Sequence, residues 1–189
     1  MRLALISDHP DHNPNMRVAA GRAGWTVVGE ADCAQAPAVC TGLQADAAII
    51  VAPQVDARVL QAIRGLHDTR PLPVVLYTGD TAPASIRAAV TAGVSAYAVD
   101  CSNIDRIGAL LDIAVVRFAE VQQLKRALHR AKTSLAERNM VEKAKGIIMR
   151  QRKVSEDTAY RMLRKLAMDR NRRIGEVAGE IVALADVLT

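Results

Sequence analysis

Aromatic side chains are scarce in this chain: one Trp, one Phe and three Tyr make up 3% of its 189 residues. A core must therefore be built from Ala, Val, Leu and Ile, which the 50% hydrophobic content can supply. Proline stops early. All seven prolines (Pro10, Pro14, Pro37, Pro53, Pro71, Pro73 and Pro83) fall within the first 83 residues. Proline removes a backbone donor and clashes inside a helix, so its absence after Pro83 leaves room for long unbroken helix. No apolar run approaches the ~18 residues that a membrane span requires, and "MRLALISDHP" lacks the small-residue cleavage site of a signal peptide. Three cysteines, Cys33, Cys40 and Cys101, form an odd set without zinc spacing, which fits a reducing cytosol and no disulfide framework. A cytoplasmic protein with no membrane partner is expected.

What charge there is divides unevenly. Residues 1–116 hold 8 Lys/Arg against 11 Asp/Glu, a net −3, whereas residues 117–189 hold 17 against 9, a net +8. Two parts with different charge and proline usage follow, and the basic part suits a polyanionic partner such as nucleic acid.

The first part alternates strands and helices. "LALISD" (3–8), "WTVVGEA" (25–31), "DAAIIVAP" (46–53), "PVVLYTG" (73–79) and "VSAYAVD" (94–100) read as short apolar strands. Between them, 16–24, 36–45, 56–67 and 82–93 read as helices, followed by 104–118. Five such strands predict a parallel sheet covered on both faces. Ligands of these sheets sit outside the carboxyl ends of the strands, here Asp8, Val51–Ala52, Thr78–Gly79 and Asp100.

Residues 1–118 resemble the receiver domain of bacterial response regulators, a flavodoxin-like α/β fold. The resemblance implies an acidic pair after the first strand that holds magnesium. It also implies a phospho-accepting Asp ending the third strand, Ser or Thr ending the fourth and Lys ending the fifth. Asp8 and Thr78 match two of these positions. The phospho-acceptor position falls on Val51, which has no oxygen nucleophile, and the Lys position falls on Asp100, whose carboxylate would repel a phosphoryl group. No register slip rescues the site, since Asp46 begins the strand and Asp56 lies beyond Pro53. The expectation is a pseudo-receiver without phosphoryl transfer, with Asp8, Thr78 and Asp100 as remnants or turn-stabilising groups.

Other chemistry is not evident. His9 and His12 lie in a loop with two prolines and read as solvated turn residues. His67 and His129 offer no complementary ligands, so no metal site or cofactor is expected. Cys101 reads as an inert thiol. Without a Gly-rich phosphate loop, a nucleophile elbow or a kinase set, no catalytic residue and no enzyme is expected.

"LLDIAVVRFAEVQQLKRALHRAKTSLAERN" contains neither Pro nor Gly. Ala114, Val121, Leu128 and Leu135 recur every seven residues, Leu124 and Ala131 fill the alternate positions, and Arg117 disturbs the seam. Such a stripe could pack on its own sheet domain. It continues well past the expected edge of that domain, which favours a coiled coil with a second helix, most simply in a homodimer. Residues 119–134 are therefore read as a coiled-coil linker.

Residues 135–189 predict three helices, about 135–151, 156–170 and 173–188. Ser155, followed by Glu156 and Asp157, is a favoured helix start. The first helix presents Met140, Ala144, Ile147 and Ile148; the second buries Ala159, Leu163 and Leu166; the third buries Ile174, Val177, Ala178, Ile181 and Leu184. Cations sort off these stripes. Arg138, Lys145 and Arg152 repeat every seven residues, Arg161, Arg164 and Lys165 form a second stripe, and Arg150, Lys153, Arg170, Arg172 and Arg173 cluster at helix ends. Most basic stripes are merely solvated faces, but this density on about fifty residues favours a nucleic-acid surface.

"AKGIIMRQRKVSEDTAYRMLRKLAMDRNRRIGEVAGEIV" resembles an ANTAR domain, the RNA-binding antiterminator module of bacterial regulators. Over its whole length the chain resembles the NasT-type regulators of nitrate and nitrite assimilation. The resemblance implies binding to paired hairpins in nascent leader RNA, stabilised against a competing terminator. It also implies sequestration by a nitrate- or nitrite-sensing, NasS-like binding-protein partner. Ala144, Gly146, Ala159, Ala167 and Ala178 match family positions and are assigned to packing, with Tyr160 free to stack or hydrogen-bond. Two other readings remain: a phosphorylation-controlled response regulator acting through DNA, and an adaptor that binds an acidic protein.

Overall fold

The computed structural model describes residues 1–8, 13–99 and 106–187. The expectations for His9, His12, Asp100 and Cys101 lie outside the described residues. The elements run β1 (Arg2–Ser7), α1 (Asn13–Arg22), β2 (Thr26–Ala31), α2 (Ala36–Gly42), β3 (Ala47–Ala52), α3 (Ala57–Thr69), β4 (Val74–Thr78), α4 (Pro83–Ala92), β5 (Ala96–Val99), α5 (Ile107–Arg152), α6 (Glu156–Asp169) and α7 (Ile174–Val187). They divide between two compact units, residues 1–122 and 123–189, so α5 contributes to both.

In the first unit the five strands pair in parallel in the order β2-β1-β3-β4-β5. Every residue of β3 and β4 is buried, which is why these strands read as continuous apolar runs. Successive side chains point to opposite faces, so each strand feeds two cores. Ile6, Ile50, Val74 and Leu76 pack with Val59, Ile63 and Leu66 of α3 on one face. Leu3, Leu5, Ile49 and Val75 pack on the other with Trp25, Met16 of α1, and Ile107, Leu111 and Ala114 of α5. Ala114 therefore belongs to the sheet core, not to the heptad seam expected of it. Its spacing from Ile107 and Leu111 is that of a helical stripe, and the sheet claims that stripe first.

Local sequence sets the helix ends. Asp56 caps α3, its Oδ1 accepting from the Val59 N–H at 3.0 Å. Gly93 closes α4 at φ 113°, a left-handed conformation that only glycine adopts freely. In the same corner, His67 Nε2 lies 2.6 Å from the Gly93 carbonyl oxygen, and its ring stacks on Phe118.

In the second unit, α6 and α7 pack with the carboxyl part of α5 around Ala144, Leu163, Ala167, Val177 and Ala178. Ser155 caps α6 through the Thr158 N–H at 3.4 Å, and Glu156 and Asp157 complement the dipole of its first turn. Small residues let the helices approach closely. The buried set is so small that Leu163→Ala, at about 2–5 kcal/mol, would take a large share of the stability that a unit this size can have. Met140 and Leu184 are exposed instead of packed. Leu184 shares a face with Val177, seven residues before it, but lies in the last turn of α7, beyond the residues that the core covers, and Met140 lies on the edge of the stripe that runs through Val141, Ala144 and Ile148.

Candidate functional site

Two places carry groups that can act on a partner: the strand ends of the first unit and the basic surface of the second. The strand order reverses at β1, between β2 and β3, which sets the crevice at the carboxyl ends of β1 and β3. Register places Val51 beside Ser7 and Tyr77, and Ala52 beside Thr78. Val51 is a buried hydrocarbon member of the core, so this residue offers no nucleophile near the end of β3.

The surrounding polar groups are committed to one another. Asp8 Oδ1 accepts from the Cys33 N–H at 3.0 Å, and Asp8 Oδ2 lies 3.7 Å from Arg58 Nη1. The same guanidinium reaches Asp56 Oδ2, 3.0 Å from Nη2. Burial first, and then the Asp8 carboxylate, push the Cys33 thiol up to about 12, so it stays protonated at neutral pH. The Thr78 hydroxyl donates to the Pro53 carbonyl and accepts from the Asp80 N–H, both at 3.2 Å. Tyr97 donates its phenolic O–H to the Asp80 carbonyl at 2.8 Å. Asp80 in turn accepts from the N–H groups of Ala82 and Val55 at 2.9 and 3.3 Å. Asp8 and Thr78 thus hold loops in place. Among the described residues, no group of three or more His, Cys, Asp or Glu side chains could hold a metal. Arg58 is the residue that sequence reasoning missed here, because its reach to Asp8 is a tertiary contact with no periodic signal.

On the second unit the expected cations separate into paired and unpaired sets. Lys145 is not on an open face. It is buried, its Nζ donating to Glu156 Oε1 at 2.6 Å and lying 2.9 Å from Glu142 Oε2. Its heptad spacing from Arg138 and Arg152 suggested exposure, but α6 brings Glu156 over it. Arg161 pairs with Asp157, Arg170 with Glu180, and Arg172 with both Glu176 and Glu180. Arg138, Arg150, Arg152, Lys153, Arg164, Lys165 and Arg173 are exposed, and no ion pair among the described residues engages them.

The two basic turns share a backbone device. Lys153 and Asn171 both take positive φ, 51° and 50°. After α6, the Asn171 N–H donates to the Met168 carbonyl and the Arg172 N–H to the Ala167 carbonyl, both at 3.0 Å, a Schellman closure. Beside that turn a cleft of about 520 Å³ opens, lined by Tyr160, Arg164, Ala167, Met168, Asn171 and Arg173 among others. Asn171 and Met168 escaped the sequence reading because neither belongs to a charged or apolar stripe. Gly146, assigned to packing, has open space around its Cα where a Cβ would stand.

On α5, Val121, Leu124, Leu128 and Leu135 are 47%, 69%, 56% and 61% exposed, so the apolar seam beyond Ala114 is left open among the described residues. No helix among the described residues is long and apolar enough to cross a membrane.

Comparison with known proteins bears on both units. Residues 129–182 match the family model of the ANTAR domain. A nitrate regulatory protein of Klebsiella oxytoca is 37% identical over 75 residues, which are 40% of this chain and 19% of that protein. The chain thus spans about a fifth of that relative's length. The transcriptional regulatory protein PdtaR of Mycobacterium tuberculosis is 27% identical over 161 residues, 83% of this chain and 78% of that protein. Among solved structures, the signal receiver domain of NarL from Mycobacterium tuberculosis matches with a TM-score of 0.51 at 26% identity, covering 60% of this chain and 94% of that one. These relatives are regulators.

Proposed function

We infer that this chain, whose residues 129–182 match the ANTAR domain and whose first unit has a receiver fold, acts as an RNA-binding transcription antiterminator. In this reading the second unit grips paired hairpins of a nascent leader RNA and holds them against a competing terminator. The observation that carries it is the set of exposed cations without carboxylate partners among the described residues: Arg138, Arg150, Arg152, Lys153, Arg164, Lys165 and Arg173. Each phosphate they neutralise releases a counterion, so affinity falls as salt rises. Lys145 is left out of this set because its charge is spent inside the fold.

Relatedness to a nitrate regulatory protein supports nitrate or nitrite assimilation genes as the target. Control then comes from a sensor protein of the nitrate-binding, NasS-like kind, which sequesters the regulator until ligand releases it. Val51 in place of a phospho-acceptor, and Asp8 engaged by Arg58, favour such control over phosphorylation. Residues 119–134 join a receiver-like domain, 1–118, to the ANTAR domain, 135–189, and form a coiled coil with a second copy. With Val121, Leu128 and Leu135 at a and Leu124 and Ala131 at d, Lys125 and Lys132 occupy e and Glu120 the preceding g. A parallel pair sets Glu120 against Lys125 of the other copy, whereas an antiparallel pair sets Lys against Lys. Parallel helices bring two basic bundles to the same end, as paired hairpins require.

The test is an electrophoretic shift with hairpins from the leaders of neighbouring nitrate-assimilation genes. Binding that weakens with salt and is lost when the loop sequence is changed supports the reading. Equal binding to duplex DNA overturns it in favour of a DNA-acting regulator.

A further inference from the structure

The cleft beside Tyr160 differs from the rest of the basic surface in ways that point to a more specific use. Tyr160, Arg164, Met168 and Asn171 recur at three- and four-residue intervals along α6 and its closing turn, so they line one stripe. Tyr160 is 42% exposed, and among the described residues no group engages its hydroxyl. The floor is Ala167, whose small side chain leaves the cleft open. Met168 is 70% exposed at the rim, a polarizable side chain able to pack on a partner.

The charges around the cleft are also sorted. Arg161 and Arg170, to either side, are tied to Asp157 and Glu180. Of the three arginines that line the cleft, Arg172 is tied to Glu176 and Glu180, whereas Arg164 and Arg173 have no carboxylate partner among the described residues. The arrangement offers an exposed ring, two unneutralised guanidinium groups and one amide with an adjacent donor and acceptor. These are the groups that hold an unstacked base: a π-face to stack on, cations for the flanking phosphates, and a hydrogen-bonding edge. A cleft of about 520 Å³ is within the usual range for ligand pockets.

We infer that this cleft seats one unstacked base of an RNA hairpin loop, with Tyr160 stacking on the base and Asn171 reading its edge. The inference rests on the RNA-binding reading above and adds to it the residue that sets loop specificity. Asn171 also has a purely structural account, since asparagine tolerates the left-handed conformation that ends α6. The two accounts separate cleanly. Glycine keeps that conformation at no steric cost and removes the amide.

The full-length chain is incubated with a pool of RNA hairpins that share one stem and carry a randomised eight-nucleotide loop, and the bound fraction is sequenced. The wild type enriches a defined base at one or more loop positions. Asn171→Gly loses the preference at one of these, by about tenfold, and keeps the affinity for the pool within about threefold. Tyr160→Ala weakens binding about ten- to hundredfold, and Tyr160→Phe, which keeps the ring, restores it. Far-UV spectra and melting of each variant monitor the fold; should Tyr160→Ala unfold the bundle, Asn171→Gly decides. If Asn171→Gly retains every loop preference, the seat is wrong while RNA binding stands. If the wild type binds every loop and duplex RNA alike, the RNA reading fails and the seat falls with it.

Discussion

The Arg58 guanidinium lies 3.7 Å from the Asp8 carboxylate, so the acidic end of β1 is answered by a side chain of the protein itself. In the receiver family that acidic end serves a divalent ion, and the neighbouring β3 terminus carries the acceptor for a phosphoryl group. Here the last two residues of β3 are Val51 and Ala52, both buried. Incubation with acetyl phosphate and magnesium is expected to leave the intact mass unchanged. A stable gain of one phosphoryl group would restore phosphorylation as the control.

Gly93 makes a different kind of demand. Its φ of 113° is hostile to any side chain, and a Cβ there would run into the His67 ring. Gly93→Ala is expected to destabilise the first unit by at least ~1–3 kcal/mol, read as a lowered urea midpoint. An unchanged midpoint would mean that the α4 terminus relaxes at no cost.

The Lys145–Glu156 pair predicts how the second unit responds to acid. Its hydrogen bond to Lys145 holds the Glu156 carboxyl below its ordinary value of 4.5. A carboxylate shifted downward by folding contributes stability that is complete above that ordinary value and disappears as pH falls through the lowered one. Urea titrations followed by circular dichroism between pH 3 and pH 7 should therefore show a loss of stability on acidification. Glu156→Gln should shrink that loss while lowering stability at pH 7; an identical pH profile in the variant would assign the acid sensitivity to other groups.

The exposed α5 seam predicts self-association. Leu124→Glu combined with Leu128→Glu should halve the mass measured by sedimentation equilibrium, because each buries a charge in the a/d layer of a pair. If the wild type already sediments as one chain at tens of micromolar, the seam serves some other helix.

Gly146 sits inside α5 beside an open groove lined by Lys143 and Arg150, with no atom in reach of an added Cβ. Gly146→Ala should raise stability by about 0.5–1 kcal/mol from helix propensity alone. A lowered melting temperature would reveal a close contact at this face, as from a second copy.

Much of this was legible in the chain itself, for identifiable reasons. The run "DAAIIVAP" is too short and too apolar for anything but a doubly covered strand, and β3 is buried along its whole length. Ser155 with its following acids located the start of α6 to the residue. Periodicity failed where a tertiary partner decides the outcome. Lys145 shares its spacing with Arg138 and Arg152, yet Glu156 arrives from the next helix and buries it. Ala114 obeys the heptad, yet the sheet captures it. Arg58 and Asn171 carried no pattern, since one acts through a contact back to Asp8 and the other through a turn closed by its own backbone.

The chain's one tryptophan, Trp25, is 3% exposed inside the first unit's core, and the second unit contains none. Indole emission therefore reports on the first unit. The proposal of a sensor protein on the first unit and a transcript on the second can be tested in one cuvette, the former by intrinsic fluorescence and the latter by a dye on the RNA.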